Sequence, residues 1–99
     1  MTSQIRASHI LVSTDSRSKE EALAEIEAAH KAITEGADFA DVAKDKSDCP
    51  SGSAGGDLGS FGKGMMVPEF ETAAFALDVD AMSGPVETNF GYHLIHRTE

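Results

Sequence analysis

CPSGSAGGDLGSFGKGMMVPEF, residues 49–70, is the stretch around which the rest of the chain is organised. It contains the single cysteine of the sequence and six glycines between Gly52 and Gly64. Glycine loses more backbone freedom on folding than any other residue, so this stretch is costly to order. We therefore expect it to follow an unusual backbone path and to hold the functional site. Its last part is rich in large apolar side chains, namely Met65, Met66, Val67 and Phe70.

Upstream of this stretch the pattern predicts first a strand and then two helices. Residues 5–12, IRASHILV, alternate in part and are rich in Ile, Leu and Val, which is typical of a central strand. Odd and even positions of a strand point to opposite faces. One face would carry Ala7, His9 and Leu11, and the other Ser8, Ile10 and Val12.

Two helices are predicted after a polar link at residues 13–17. Ser18 and Glu21 form a capping box, and the helix that follows should end at Gly36, which suits a left-handed C-terminal cap. Asp38 is placed to cap a shorter second helix that fades by residues 47–48. The inward positions of the two helices are Ala22, Leu23, Ile26, Ala29 or His30, and Ile33 in the first, and Phe39, Val42 and Ala43 in the second.

Downstream, the pattern predicts a short strand at 57–61, a third helix from Pro68, an edge strand at 85–88, a turn at 89–91 and a last strand at 92–97. The buried stripe of the third helix would be Phe70, Ala73, Ala74 and Leu77. In the last strand, His93 and Ile95 would face opposite to Tyr92, Leu94 and His96. The order β-α-α-β-α-β-β, ending in an antiparallel hairpin, predicts one α+β domain over residues 1–99.

The composition excludes some classes of partner. A net charge of −9 argues against nucleic acid and against anionic membranes, because both require a basic face. One cysteine forms no internal disulfide, which suits a reducing compartment. The apolar run near the start is too short for a signal peptide or a membrane span. From these features we predict a cytoplasmic location, with the alternative that the sequence is one domain of a longer, exported protein. Nothing in the sequence demands more than a monomer.

His9, Cys49 and His93 are the residues whose chemistry stands out. Each histidine lies mid-strand, where its ring must find a hydrogen-bond partner, and adjacent strands would bring the two rings together. Cys49 is open to three interpretations: a small buried side chain, a thiol activated by a histidine, or a ligand in a metal site with both histidines. The metal interpretation lacks close-spaced ligand pairs, so its signal is weak and we predict no metal. His30 and His96 are expected to face solvent.

The glycine-rich stretch does not match a phosphate-binding loop. It lacks the G-x-x-x-x-G-K-[ST] pattern and the dinucleotide spacing after a strand. Met66 and Phe70 lie four residues apart, a spacing that is common in simple core packing. The same pair could instead line a shallow apolar cup beside the loop, because methionine adapts its shape to such surfaces.

Taken together, these motifs resemble the parvulin class of peptidyl-prolyl cis/trans isomerases. The matching pieces are SHILV at 8–12, the run at 36–77 that contains CPSG, GGDLG and MVPEFE, and SGPVETNFGYHLIHRT at 83–98. They cover nearly the whole chain in the family's order, and residues 13–35 are generic. The chain looks like the small free-standing parvulins of prokaryotes.

The resemblance implies a four-stranded antiparallel sheet surrounded by helices, and rotation about the peptide bond before proline, with no cofactor. His9 and His93 would be the paired histidines at the floor of the site, with Cys49 beside them. Thr88 would belong to their hydrogen-bonding network, and Phe90 would line the rim. The pocket for the proline ring would be formed by Leu58, Met66 and Phe70.

One departure from the family concerns phosphate. The branch that selects phosphorylated Ser/Thr-Pro carries a basic cluster after the first strand, whereas this chain has Arg17 and Lys19 with Asp15 beside them. We therefore expect proline-containing polypeptides to bind without phosphate selectivity. Two other hypotheses are a proline-segment binding or chaperone module with little turnover, and a thiol enzyme that uses Cys49 with His9 or His93.

Overall fold

A computed structural model of the chain describes residues 4–15 and 17–99. Four strands form an antiparallel sheet: β1 (Gln4–Ser13), β2 (Asp57–Gly62), β3 (Val86–Thr88) and β4 (Gly91–Arg97). Three helices pack around it: α1 (Lys19–Thr34), α2 (Phe39–Lys46) and α3 (Pro68–Ala76). A short 3-10 helix at Pro50–Ala54 precedes β2. The predicted fold class and element order are confirmed, while Ser16 of the predicted link lies outside the described residues.

The strand order is β2-β1-β4-β3, so the first and last strands are the two central ones. Their antiparallel register pairs His9 with Ile95 and Leu11 with His93. The two histidines are therefore diagonal neighbours on one face of the sheet, because side chains alternate along each strand. This register, which joins the two ends of the chain, is what brings the histidines together.

Both faces of the sheet are covered. On one face, Ile10, Val12 and Leu94 pack with α1 and α2, and on the other, Ala7 and Ile95 pack with α3. The predicted alternation of β1 and β4 is thus correct, since its two sets of residues belong to two separate apolar clusters. Each fully buried aliphatic side chain contributes about 1.5–3 kcal/mol to folding.

The local signals for the helices are partly confirmed. Ser18 and Glu21 form the predicted capping box, and Gly36 follows α1 with a φ of +118°. Asp38 takes the N-cap position of α2, but its side chain accepts no capping hydrogen bond. Leu77 lies just beyond α3 in an extended conformation, although its side chain still packs against that side of the core.

Two histidines predicted to face solvent are half-buried instead. His96 packs against the ring of Phe39, with the ring centroids 5.4 Å apart. His30 lies on the flank of α1. The burial of His96 has a geometric cause: Phe39, the first residue of α2, packs against its ring. No helix within the described ranges is long and apolar enough to cross a membrane.

Candidate active site

The glycine-rich stretch lies against the first strand through its backbone. Gly56 accepts a hydrogen bond from the His9 N–H at 2.9 Å and donates to the Ser51 carbonyl at 2.8 Å. A Cβ atom on Gly56 would lie 2.3 Å from the His9 carbonyl oxygen, and the residue has a φ of +85°. This position therefore requires glycine, which explains part of the costly composition of the stretch.

His9 and His93 form a buried pair at the centre of the site. Their Nδ1 atoms are 3.1 Å apart, and 5% of His9 and 4% of His93 are exposed. Burial lowers the pKa of each ring from 6.5 to about 4, and for His93 the neighbouring His9 adds to the effect. Both rings are therefore neutral near pH 7.

A chain of hydrogen bonds runs through this pair. At one end, the Phe90 N–H donates to Thr88 Oγ1 at 3.2 Å, and Thr88 Oγ1 lies 2.8 Å from His93 Nε2. At the other end, His9 Nε2 lies 3.1 Å from Ser51 Oγ, which donates to Cys49 Sγ at 3.3 Å. The chain thus joins both edges of the site through the two histidines.

Phe70 packs edge-on against both imidazoles. Its ring centroid lies 5.5 Å from that of His9 and 5.4 Å from that of His93. Edge-to-face contacts of this kind stabilise aromatic pairs beyond their burial. Phe70 is held in turn by Phe61 of β2, at 6.0 Å between centroids. The two imidazoles that form the floor of the site are therefore packed against a buried aromatic cluster.

A cavity of about 320 Å³ lies above this floor. Its volume is in the range of small-molecule sites. It brings together seven of the eight residues singled out from the sequence, and the eighth, Thr88, lies behind His93. The seven are His9, Cys49, Leu58, Met66, Phe70, Phe90 and His93.

The rim of the cavity is apolar and open. Met65 and Phe90 are 64% and 57% exposed, which is high for such large side chains. The loop that carries Met65 and Met66 is held to α3, because Glu71 accepts a hydrogen bond from the Gly64 N–H. Three larger cavities, of about 390, 490 and 340 Å³, have charged side chains in their linings and contain neither histidine, although Thr88 lines the first of them.

Sequence reasoning missed four residues of the site. Leu11, Met65 and Val67 line the cavity, and Ser51 joins His9 to Cys49. Leu11 shares the predicted face of His9, and the other two adjoin Met66, so their proximity could have been noticed. Ser51 gave no such signal, because its contact with His9 depends on how the 3-10 helix lies against β1.

The side chains of the described residues are not arranged to hold a metal ion. Within residues 4–15 and 17–99, no group of three or more His, Cys, Asp or Glu side chains is placed to hold an ion. His9 and His93 direct their Nδ1 atoms at each other, which leaves neither of these atoms free for a shared ligand. The arrangement can instead desolvate an apolar group above two neutral, hydrogen-bonded rings.

Comparison with known proteins places the chain among isomerase domains. A family model described as a rotamase, the PPIC-type PPIase domain, matches residues 9–99. The chain is 50% identical over 97 residues to a foldase protein PrsA of Halalkalibacterium halodurans and 47% identical to one of Geobacillus kaustophilus. Both matches include 97% of this chain, but they include only 27% and 32% of the two foldases. The chain therefore spans about a quarter to a third of their length.

Two solved structures resemble the fold closely. NmPin, the parvulin of Nitrosopumilus maritimus, is 40% identical with a TM-score of 0.82, and the match covers 100% of this chain and 99% of that one. PrsA from Bacillus subtilis is 42% identical with a TM-score of 0.87, and the match covers 98% of this chain and 35% of that one. The likeness is therefore to whole small proteins as well as to parts of larger ones.

Proposed function

The chain belongs to the PPIC-type peptidyl-prolyl cis/trans isomerase family, and we propose that it acts on X-Pro bonds of unfolded or flexible polypeptides without phosphate selectivity. The observation that carries this proposal is the open apolar cavity above the neutral pair His9 and His93. Rotation about an X-Pro bond breaks no covalent bond and needs no cofactor. A site made of apolar walls and neutral donors suits such a reaction.

The reaction sets a clear physical requirement. Rotation of the X-Pro bond meets a barrier of about 20 kcal/mol and takes tens to hundreds of seconds unaided. In the transition state the amide has lost its resonance, so its carbonyl is less polar than in the planar form. A water-excluding apolar surface therefore binds the twisted amide better than the planar one, and this difference accelerates the reaction.

The side chains divide between holding the ring and surrounding the amide. Leu58, Met66 and Phe70 form an apolar wall that fits a proline ring, and Phe90 at the rim fits the chain around it. His9 and His93 supply a neutral floor, which costs less to desolvate than a charged one would. Thr88 orients His93 from behind. In this assignment Cys49 contributes to the polar surroundings of the amide and forms no covalent bond.

The contacts of the two cations that follow β1, Arg17 and Lys19, support the proposed absence of phosphate selectivity. Arg17 contacts Asp48 at 2.6 Å and Glu25 at 3.0 Å, and it also donates to the Ser13 carbonyl. Lys19 contacts Glu87 at 2.8 Å. A phosphate would have to displace these carboxylates in a strongly acidic domain. We therefore propose that neither side chain serves as a phosphate receptor.

The test is a protease-coupled cis/trans assay on matched Ser-Pro and phosphoSer-Pro peptides. We expect micromolar protein to accelerate isomerisation of the unphosphorylated peptide at least as well as that of its phosphorylated counterpart. A preference of about tenfold or more for the phosphopeptide, equal to about 1.4 kcal/mol, would refute the phosphate proposal. No acceleration of either peptide would refute isomerase activity itself.

Replacement of the thiol separates rotation from covalent catalysis. Cys49→Ser keeps a small polar group beside Ser51 but replaces the thiol with a far weaker nucleophile. We expect kcat/KM to fall less than about tenfold, because one hydrogen bond of modest strength changes. A thiol enzyme would lose several orders of magnitude on this change, as nucleophile variants do. The measurement is kcat/KM for one X-Pro peptide, with the wild type as reference.

A second candidate is a binding or chaperone module with little turnover. The observations that favour it are the exposed Met65 and Phe90 at the rim and the foldase name of the PrsA relatives. Suppression of aggregation of an unfolded protein, without acceleration in the peptide assay, would support it.

The cytoplasmic location, the monomeric state and the absence of nucleic-acid and membrane partners stay predictions from the sequence.

A further inference from the structure

Ser51 contacts the candidate active site but has no role in the reaction as proposed above. Its hydroxyl lies between two groups of the site, 3.1 Å from His9 Nε2 and 3.3 Å from Cys49 Sγ. It is half-buried in the 3-10 helix at Pro50–Ala54. No other side chain contacts both of these groups by hydrogen bonds within the described part of the chain.

The backbone of the same residue is also tied to His9. The Ser51 carbonyl accepts the Gly56 N–H at 2.8 Å, and the Gly56 carbonyl accepts the His9 N–H at 2.9 Å. Side chain and main chain of Ser51 are thus both connected to one residue of β1. The tight fit of Gly56 against His9 allows little sliding between the two segments. The position of the Ser51 hydroxyl over the imidazole is therefore fixed by the fold.

One assignment of the protons satisfies every hydrogen bond of the chain. Ser51 Oγ is placed to donate to Cys49 Sγ, and because a serine hydroxyl has one proton, its oxygen would then accept from His9 Nε2–H. In this assignment neutral His9 presents Nδ1 as an acceptor, and His93 Nδ1 carries the proton between the rings. His93 Nε2 accepts in turn from Thr88, whose hydroxyl accepts from the Phe90 N–H. Every group in the chain is satisfied in this one direction.

We propose that Ser51 is a positioning residue that fixes the proton arrangement of the His9–His93 pair and the direction of the Cys49 thiol. Without its hydroxyl, His9 Nε2–H would be a buried donor with no partner, which is unfavourable. The ring could then exchange its proton between Nε2 and Nδ1, and the direction of the whole chain would be lost. The role rests on the isomerase function proposed above, because it concerns the floor of that site.

Three variants test the role of Ser51. Ser51→Ala removes the hydroxyl, Ser51→Thr keeps it, and Ser53→Ala is the matched control. Ser53 lies in the same 3-10 helix, is exposed, and donates to the Pro50 carbonyl without contacting the histidines. Two properties are measured for each folded variant: kcat/KM on an X-Pro peptide, and the ¹⁵N chemical shifts of the imidazoles, which distinguish a protonated from an unprotonated nitrogen.

For the wild type we expect proton-bearing Nε2 at His9 and proton-bearing Nδ1 at His93. Ser51→Ala should mix the two tautomers of His9 and lower kcat/KM roughly three- to tenfold, the range of one net hydrogen bond. Ser51→Thr should retain the wild-type shifts and most of the turnover, and Ser53→Ala should retain both. If Ser51→Ala does not fold, the wild-type and Ser51→Thr shifts still test the assignment.

Several results would overturn the proposal. One is a wild-type spectrum with the opposite tautomers, and another is a folded Ser51→Ala protein with unchanged imidazole shifts, whatever its turnover. The proposal would also be overturned if Ser51→Ala and Ser53→Ala lowered kcat/KM by the same factor, since this would indicate a general effect on the 3-10 helix. The imidazole shifts can be measured without catalysis. An inactive wild type would therefore refute the isomerase proposal without deciding the role of Ser51, which the shifts test separately.

Discussion

Acidification from neutral pH to about 4 is expected to remove several kcal/mol of folding free energy, because the pKa of both His9 and His93 is lowered to about 4. In the unfolded chain the same rings titrate near 6.5, so between these values the unfolded state binds more protons than the folded state. Stability is therefore complete above about 6.5 and is lost as the pH falls towards 4. For one histidine alone, the difference between a pKa of 6.5 in the unfolded chain and about 4 in the folded protein corresponds to about 3 kcal/mol of folding free energy.

Urea unfolding at a series of pH values measures this loss. Asp57 contributes in a lower range: the hydrogen bond from Arg6 holds its pKa below 3.8, so its contribution is present above that value and is lost as the pH falls further. The window of the histidines therefore lies above that of Asp57, and the two adjoin near pH 4. A double variant with glutamine at positions 9 and 93 should lack the slope between 6.5 and 4. A wild-type stability that stays constant across this range would contradict the buried neutral pair.

Removal of the Phe70 ring is expected to destabilise the protein by about 3–5 kcal/mol, the usual cost of Phe→Ala in a core. Phe70 is 3% exposed and contacts His9, His93 and Phe61. Because a domain of this size has about 5–15 kcal/mol of stability in all, the variant needs low temperature to stay folded. Under those conditions we expect turnover to fall to near background, since the pocket loses its inner wall.

Phe75 provides the matched control. It also lies on α3 and contacts Phe61, at 6.1 Å between ring centroids, but it is half-buried and does not line the cavity. Phe75→Ala should therefore lower the unfolding midpoint while the folded protein keeps its kcat/KM. Unfolding curves and peptide assays at one low temperature compare the two variants. A folded Phe70→Ala protein with wild-type turnover would exclude the cavity as the catalytic site.

Much of the fold was predictable because its signals are local. The capping box of Ser18 and Glu21, and the alternation of β1 and β4, need no more than neighbouring residues to be recognised. The site residues His9, Cys49 and His93 stood out by chemical type. The contact between His9 and His93 could be inferred if their two predicted strands were neighbours. The resemblance to parvulins supplied the apolar wall of Leu58, Met66 and Phe70.

The features that were missed depend on tertiary contacts. Ser51 meets His9 because Gly56 fixes the 3-10 helix on β1, and no periodicity reports such docking. His96 is half-buried because α2 happens to cover it with Phe39. Asp38 has a suitable capping side chain, yet it makes no capping hydrogen bond in the fold. Sequence patterns thus predicted the elements and the residues that meet at the cavity, whereas packing decided their hydrogen-bond partners.

NMR exchange spectroscopy on a short X-Pro peptide, with catalytic amounts of the wild-type domain, tests the central claim most directly. We predict exchange cross peaks between the cis and trans forms within seconds, whereas the free peptide takes tens to hundreds of seconds. In the protein, shifts should concentrate at Leu58, Met66, Phe70 and His93. No exchange with folded protein, or shifts confined to the distant cavity lined by Arg6, Phe75 and Glu99, would contradict the account.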